Sequence, residues 1–295
     1  MRVRPIRFDL TIRKNDPPTV CDALAVRTGL SKSKVKQAMI KGAVWHHRFG
    51  ATPRRVRRAT TTAHPGDRWI FYYDPDILDL HPPQAKCLWD YGQYSIWFKP
   101  AGLMTQGTRF GDHCALSRQA ERHFQSKRAV YLVHRIDREA AGLLIVAHSR
   151  EAAARFSALF RRQKIEKTYL VRVRGDLSQC QISGCIDLAL DGKNAMTLFE
   201  VHHYDAVDDQ SLVYARIRTG RYHQIRRHFA MIGYPVMGDP RYGRGNKNTE
   251  GLQLVAFALA FTCPFRNSRI EAVIDPAVPP SAGTAHNDLE RKGMI

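Results

Sequence analysis

The sequence predicts an α+β protein. A domain built on a mixed or antiparallel β-sheet with flanking helices is preceded by a small α/β unit of two short helices and a few strands. Three observations predict it. Residues 19–41 carry two helical apolar stripes separated by a glycine turn. Leu143-Leu144-Ile145-Val146 is a short unbroken apolar run with β-branched residues, the mark of a buried strand. Lys167 to Val173 alternates between two faces, and Val213–Arg218, Leu252–Phe261 and Ile270–Ile274 add further strand patterns.

Val20, Ala23 and Leu24 form the first stripe, Gly29 suits that helix's C-terminus, and Ser31 is placed to cap a second helix with Val35, Ala38 and Met39 on one face. Gly42 stops it. Lys32, Lys34, Lys36 and Lys41 occupy its other side, Val44-Trp45 reads as a short strand, and the basic run Arg54, Arg55, Arg57 and Arg58 follows. His64-Pro65-Gly66-Asp67 is a turn ahead of an alternating strand from Trp69 to Tyr73, and the proline-rich stretch from Asp74 to Pro83 reads as a linker. Further on, Trp97-Phe98 runs into a tight Lys99-Pro100-Ala101-Gly102 turn. Ser149 begins a helix with Ala152, Ala153, Phe156, Leu159 and Phe160 on its apolar side. Residues 176–209 read as loop-rich with short strands and a hairpin turn at Asp191-Gly192. The polar chain beyond Pro279 is expected to fray.

Composition narrows the class of partner. The 295 residues carry 46 Lys+Arg against 27 Asp+Glu, a formal net charge of +19. So basic a chain favours polyanions, because each phosphate it neutralises releases counterions. Nucleic acid is the first partner expected and a membrane surface the second. No apolar stretch approaches the roughly 20 residues that span a bilayer, and Met1-Arg2-Val3-Arg4-Pro5 lacks the apolar core of a signal peptide, which points to the cytoplasm and away from membranes. The six cysteines are scattered without zinc-site spacing, so reduced thiols are expected and no metal.

One charged cluster sits just upstream of the buried strand: His134-Arg135-Ile136-Asp137-Arg138. A carboxylate there must be paired or used, and a structural Arg–Asp ion pair is the plainer use when such a cluster stands alone. Two other segments accompany it. Lys167-Thr168-Tyr169 opens the alternating strand. Thr219-Gly220-Arg221-Tyr222-His223-Gln224-Ile225-Arg226-Arg227-His228 leads from a strand end into a basic helix start, followed by Gly238-Asp239-Pro240. By itself such a helix start suits phosphate binding, and Asp239 reads as a turn residue bonded to its own backbone.

Taken in order, the Lys-Pro-Ala-Gly turn, the Asp137 segment, the Lys-x-Tyr strand and TGRYHQIR resemble the motifs of RluA-type pseudouridine synthases over roughly residues 94–274. Residues 9–74, with TGLSKSKVKQAMIKGAV as the telling part, resemble the S4 RNA-binding domain. One departure is visible: Ala140-Ala141 stands where the family usually has Thr-Ser, removing hydroxyls that bond the turn backbone.

The resemblance implies a layout of an S4-like domain and linker over 1–80, a pseudouridine synthase domain over 81–280 and a flexible tail over 281–295. It implies an enzyme that converts specific uridines in structured RNA, ribosomal RNA ahead of tRNA, and works as a monomer without a cofactor. Asp137 would be the catalytic carboxylate, as nucleophile or stabiliser of the sugar cation, since the base must leave C1′ and rejoin through C5 with no net redox change. Arg226 would hold it charged and oriented, with Arg221 second for that role. Tyr169 would lie against the target base, as stacking partner or proton acceptor. His134, Arg135, Arg138, Lys167, Arg221, His223 and Gln224 would contact RNA around the site. Arg135 is placed to fill the space a flipped uridine leaves, and His134 to meet a phosphate or a backbone carbonyl. Lys32, Lys34, Lys36, Arg54, Arg55, Arg57 and Arg58 would bind RNA from the N-terminal domain.

Three other classes compete. A DNA-reading helix-turn-helix is weakened by basic residues that spill onto the strands. A glycoside hydrolase also acts at an anomeric carbon, but needs a companion carboxylate that the motifs do not supply. A non-catalytic RNA-binding or ribosome-assembly factor keeping the fold would not require Asp137, Tyr169 and Arg226 together.

Overall fold

The computed structural model describes residues 5–48, 50–182 and 184–275; the tail expected at 281–295 lies outside them. The chain divides into two compact units. One runs to Pro82 and also takes in Gln106–His123; the other consists of Pro83–Thr105 and the chain from Phe124 onward.

In the first unit β1 (Ile6–Thr11), α1 (Val20–Thr28), α2 (Lys32–Ile40), β2 (Val44–His47), β3 (Arg54–Arg55) and β4 (Arg68–Tyr73) build a four-stranded sheet in the order β1-β4-β2-β3 with two helices. The helix ends are set by the residues the sequence offers. Thr19 accepts the Asp22 N–H, Gly29 closes α1 in the left-handed region at φ 71, and Ser31 accepts the Lys34 N–H at the start of α2. Val20, Leu24, Val35, Ala38 and Met39 are buried with Trp69 and Phe71 in one core. The stretch expected as linker is more ordered than that: Asp74 caps a one-turn helix, α3 (Pro75–Leu78), and Leu78 is buried.

Residues 106–123, with α4 (Leu116–His123), pack in this unit although the motif order assigns them downstream. Arg55 donates to the Thr108 and Gly42 carbonyls, Arg57 pairs with Asp112, and the Asp112 N–H bonds the Lys41 carbonyl at 3.0 Å. Gly42 is required there: its φ is +85, and any Cβ would strike the Asp112 carboxylate.

The second unit carries β5 (Lys86–Asp90), β6 (Tyr94–Lys99), β7 (Tyr131–Leu132), β8 (Ala141–Ala147), α5 (Arg150–Arg161), β9 (Ile165–Arg174), β10 (Cys185–Asp187), β11 (Met196–Asp205), β12 (Gln210–Ile217), α6 (Gln224–Met231), β13 (Leu254–Thr262) and β14 (Arg269–Val273). The strands form one mixed sheet ordered β10-β11-β12-β9-β13-β8-β6-β5, with β14 on β13 and β7 on β8. Antiparallel pairing dominates, and β13 with β8 is the parallel pair. Gly142 makes that pair possible, since a Cβ at φ +128 would overlap the Ala256 backbone. Phe156 of α5 packs with Tyr94, Ile96, Leu143, Ile145 and Phe261 into the core on which the sheet rests. Ser149 caps α5, and Asp191-Gly192 turns the chain at φ 52 and 70. The region expected to be loop-rich contains the ten-residue β11, whose polar residues and bulge between Val201 and His203 blur its alternation.

Candidate active site

Three segments of the second unit meet around a cavity of about 1220 Å³: the loop from Val133 to Ala140, the first half of β9, and the turn entering α6. The loop is fixed from beneath. The Thr105 hydroxyl donates to the Ile136 carbonyl at 2.8 Å and accepts the Ile136 N–H at 3.3 Å. Gly102 N–H and the Lys99 ammonium bond the Arg138 carbonyl at 2.8 and 3.2 Å, and Lys99 also donates to Pro100 and Leu103. Lys99 is fully buried, and burial pushes its amine down to about 7. The loop thus takes a hydroxyl from Thr105, while Ala140 is buried and Ala141 pairs within the sheet.

Asp137 Oδ2 accepts a hydrogen bond from Arg226 Nη1 at 3.2 Å, bringing together residues 89 positions apart. Arg226 is buried, and its other two nitrogens make a bidentate clamp on Asp239, Nε to Oδ2 at 2.7 Å and Nη2 to Oδ1 at 2.8 Å. Glu139 lies 3.5 Å from the same Nη1, and the Tyr242 ring sits 5.4 Å from the guanidinium. Burial alone would disfavour the Arg226 cation, yet Asp239 and then Asp137 hold it firmly protonated. Burial likewise works to raise Asp239, but Arg226 and the N–H groups of Arg241 and Tyr242 leave it below the usual carboxylate value. A buried ion pair is costly to break because the surviving charge has no solvent to turn to. Asp239 therefore does more than the turn bonding expected of it: it fixes the arginine that faces Asp137.

Tyr169 is buried on β9, and its cross-strand neighbours are both alanine, Ala215 and Ala256. Burial, and after it the charge of Asp137, push its phenol above the ordinary tyrosine value, so the ring is un-ionised at neutral pH. Lys167, two residues earlier, has its ammonium 5.7 Å from the Phe160 ring, and burial lowers its pKa.

His134 meets a backbone amide where a backbone carbonyl was one of its two expected partners. Its Nε2 accepts the Ile145 N–H at 2.9 Å, its ring lies 4.5 Å from Phe160, and burial pushes its pKa down to about 3. It is a neutral ring pinned to β8. Gln224 is also consumed internally: Oε1 accepts from the Thr219 hydroxyl and the Arg221 N–H, while Nε2 donates to Met196 and Thr197. These bonds hold the turn before α6. His223 sits at that turn in the left-handed region, with Nε2 3.7 Å from Asp137 and Nδ1 3.2 Å from the Tyr242 hydroxyl. Arg135 is exposed at the cavity. Arg138 is exposed and bonds the Gly102 carbonyl, and Arg221 bonds the Asn194 carbonyl instead of Asp137.

In the first unit Lys34, Lys36, Arg54 and Arg58 are exposed, and Lys32 is paired with Asp22 at 2.8 Å. Arg55 and Arg57 depart from expectation. Their guanidinium groups are bound to Asp112 and to backbone carbonyls, so they hold residues 106–123 instead of presenting free charge. Among the described residues no group of three or more His, Cys, Asp or Glu side chains is arranged to hold a metal ion, and no helix is long and apolar enough to cross a membrane.

The residues supporting the candidate site that sequence reasoning missed are Asp239 as a clamp, Lys99 and Thr105. The signal for Lys99 was present, a lysine ending an apolar strand at a tight turn, where its charge has to find acceptors.

Fold and site together define a mixed-sheet α+β domain that presents a carboxylate, backed by a buried guanidinium, in a cation-lined cavity. Residues 93–231 match the family described as RNA pseudouridylate synthase. The dual-specificity RNA pseudouridine synthase RluA of Escherichia coli is 31% identical over 203 residues, 62% of this chain and 90% of the relative. The ribosomal large subunit pseudouridine synthase D of Zymomonas mobilis is 33% identical over 141 residues, 43% of this chain and 44% of the relative. The solved structure of human RNA pseudouridylate synthase domain containing 1 superposes with a TM-score of 0.55 at 23% identity, covering 68% of this chain and 88% of that one, a likeness of fold. The chain belongs to the RNA pseudouridine synthase family, whose members are isomerases.

Proposed function

We propose that this protein isomerises specific uridines of a structured RNA to pseudouridine with Asp137 as the catalytic carboxylate, ribosomal RNA being the first substrate class and tRNA the second. The observation that carries the reading is the chain of contacts from Asp239 through buried Arg226 to Asp137 at the cavity wall. The reaction breaks the C1′–N1 bond, joins C1′ to C5, and transfers the C5 proton away while N1 regains one, so no electron acceptor is needed. An anionic oxygen held still beside the sugar and base supplies what this requires, and fixed charges cost no reorganisation at the moment of reaction.

Tyr169, buried between two alanines and neutral, offers its ring to the base and its hydroxyl to the proton transfer. Arg135, exposed at the cavity, is the group that occupies the space left by an extruded uridine. The first unit, with its S4-like order of helices and strands and exposed Lys34, Lys36, Arg54 and Arg58, supplies sequence-independent affinity for phosphates. The protein acts on RNA as a cytoplasmic monomer and uses no cofactor.

Mapping pseudouridines in ribosomal RNA and tRNA from cells with and without this protein tests the reading. One or a few positions are expected to revert to uridine in its absence, and identical maps would contradict it.

A further inference from the structure

Tyr222 is the one aromatic among the exposed large hydrophobic side chains of the described residues, with 50% of its surface open, and it lines the same cavity as Asp137. An exposed tyrosine is usually free to swing. This one is not. His223, in the left-handed region at φ 52, turns the backbone so that the two neighbouring rings stack at 3.8 Å between centroids and 20° between planes. The His223 ring is in turn bonded through Nδ1 to the Tyr242 hydroxyl at 3.2 Å, and Arg241 Nη1 donates to the Tyr222 hydroxyl at 3.0 Å. The Tyr222 ring is therefore held at its edge and backed on one face while half of the residue remains open.

His223 is held without it, by Tyr242 and Arg226. A flat, immobilised aromatic surface stacks a planar ligand with little further entropy loss, because its rotamer is fixed beforehand. Every nucleobase has such a plane. The contacts from Tyr222 to His223 and from His223 Nε2 to Asp137 are 3.8 and 3.7 Å, so a base on Tyr222 would belong to a close neighbour of the reacting nucleotide.

We infer that Tyr222 is a stacking platform for a nucleobase flanking the target uridine, a subsite separate from the one that receives the uridine itself. The inference rests on the proposed activity on RNA. The platform reads no hydrogen-bond pattern. It fixes where the strand bends beside the target, and Arg241, 5.7 Å from the ring, adds a cation beside that base.

The test uses an RNA hairpin with a single uridine that the wild-type protein converts, and versions with an abasic ribose at each neighbouring position in turn. For one position, removing the base should weaken wild-type binding roughly tenfold. Tyr222→Ala should weaken binding of the intact hairpin by a similar factor and show no further loss on that one abasic RNA, whereas Tyr222→Trp should bind the intact hairpin within about threefold of wild type. Multiplicative losses at every position, or a Tyr222→Ala defect confined to the rate at saturating enzyme, would overturn the platform and leave Tyr222 as packing for His223. Conversion of the intact hairpin by the wild-type protein checks the underlying reading separately. If no ribosomal or transfer RNA hairpin is converted, that reading falls and the platform falls with it.

Discussion

Asp112 and Asp239 each clamp arginine side chains, one in each compact unit, and the two clamps leave different things over. Asp112 takes Arg57 and Arg55, and Arg55 spends its remaining donors on the Gly42 and Thr108 carbonyls. Asp239 takes two nitrogens of Arg226, whose third points to Asp137. The same pair of residue types is a structural staple in one unit and the backing of a candidate catalytic carboxylate in the other. What decides between them is the donor left unspent and the group it reaches, which the charges alone do not show.

Arg226 is where breaking the comparison should have the largest effect. Arg226→Met keeps much of the side-chain volume and strands Asp239 without its cation, so stability should fall by about 3–5 kcal/mol. The chemical step should slow by roughly a thousandfold as Asp137 loses its anchor. Denaturant melts and single-turnover rates measure the two. The corresponding Arg57→Met in the first unit should cost stability alone, with the rate on bound RNA little changed.

Tyr169→Phe is the next in size. With ring and burial kept and the hydroxyl gone, a slowing of about 100-fold at unchanged affinity is expected, the lower end of the range for a proton-transfer group. Single-turnover assays at saturating enzyme read it directly, and equal rates would reduce the residue to its ring.

A smaller effect separates the units by affinity. Neutralising Lys34, Lys36, Arg54 and Arg58 to glutamine should weaken RNA binding and flatten its salt dependence, by up to about 0.9 in the log–log slope for each phosphate left without its cation. The chemical step on bound RNA should be spared. Binding titrations at several salt concentrations test this, and an unaltered slope would remove the first unit from the RNA interface. Charge neutralisation is preferable to deleting residues 1–80, because deletion would strip residues 106–123 of the partners that Arg55 and Arg57 provide.

The effect that is smallest at neutral pH, where it vanishes, is on acid stability. His134 is depressed to about 3, so its neutral ring supports the fold fully above the ordinary histidine pKa. As pH falls from about 6.5 towards 3 the unfolded chain takes up a proton that the folded one refuses. Stability should therefore drop by up to about 1.4 kcal/mol per pH unit from this group. His134→Leu should lose the Ile145 hydrogen bond at every pH and show a shallower acid limb in melts taken across that range.

Much of the site was legible because its chemistry is carried by consecutive residues. The Asp137 cluster precedes an unmistakable apolar strand and Arg226 opens a helix after a glycine turn, but it is the resemblance to the RluA-type motifs, not either pattern, that paired the two residues the structure places 3.2 Å apart. Asp239 was legible only as a turn residue, since its own segment shows the backbone N–H groups it accepts and not the arginine 13 residues earlier that it also holds. The placement of residues 106–123 escaped for the same reason. Their ties are long-range arginine bonds to carbonyls, which leave no periodicity in the sequence. His134 and Gln224 looked like RNA contacts because polar residues beside a motif usually face solvent, whereas here both satisfy buried backbone groups.

The most direct measurement is tritium release from RNA labelled at C5 of uridine, under single turnover, for the wild-type protein and Asp137→Asn. The amide keeps the shape and a hydrogen-bond acceptor for Arg226 but cannot act as an anion. Wild-type protein should release tritium and form pseudouridine. The variant should fold, bind the RNA within a few-fold of wild type, and release tritium slower by about 10⁴-fold or more. Release by the variant at a rate near wild type would remove Asp137 from the chemistry.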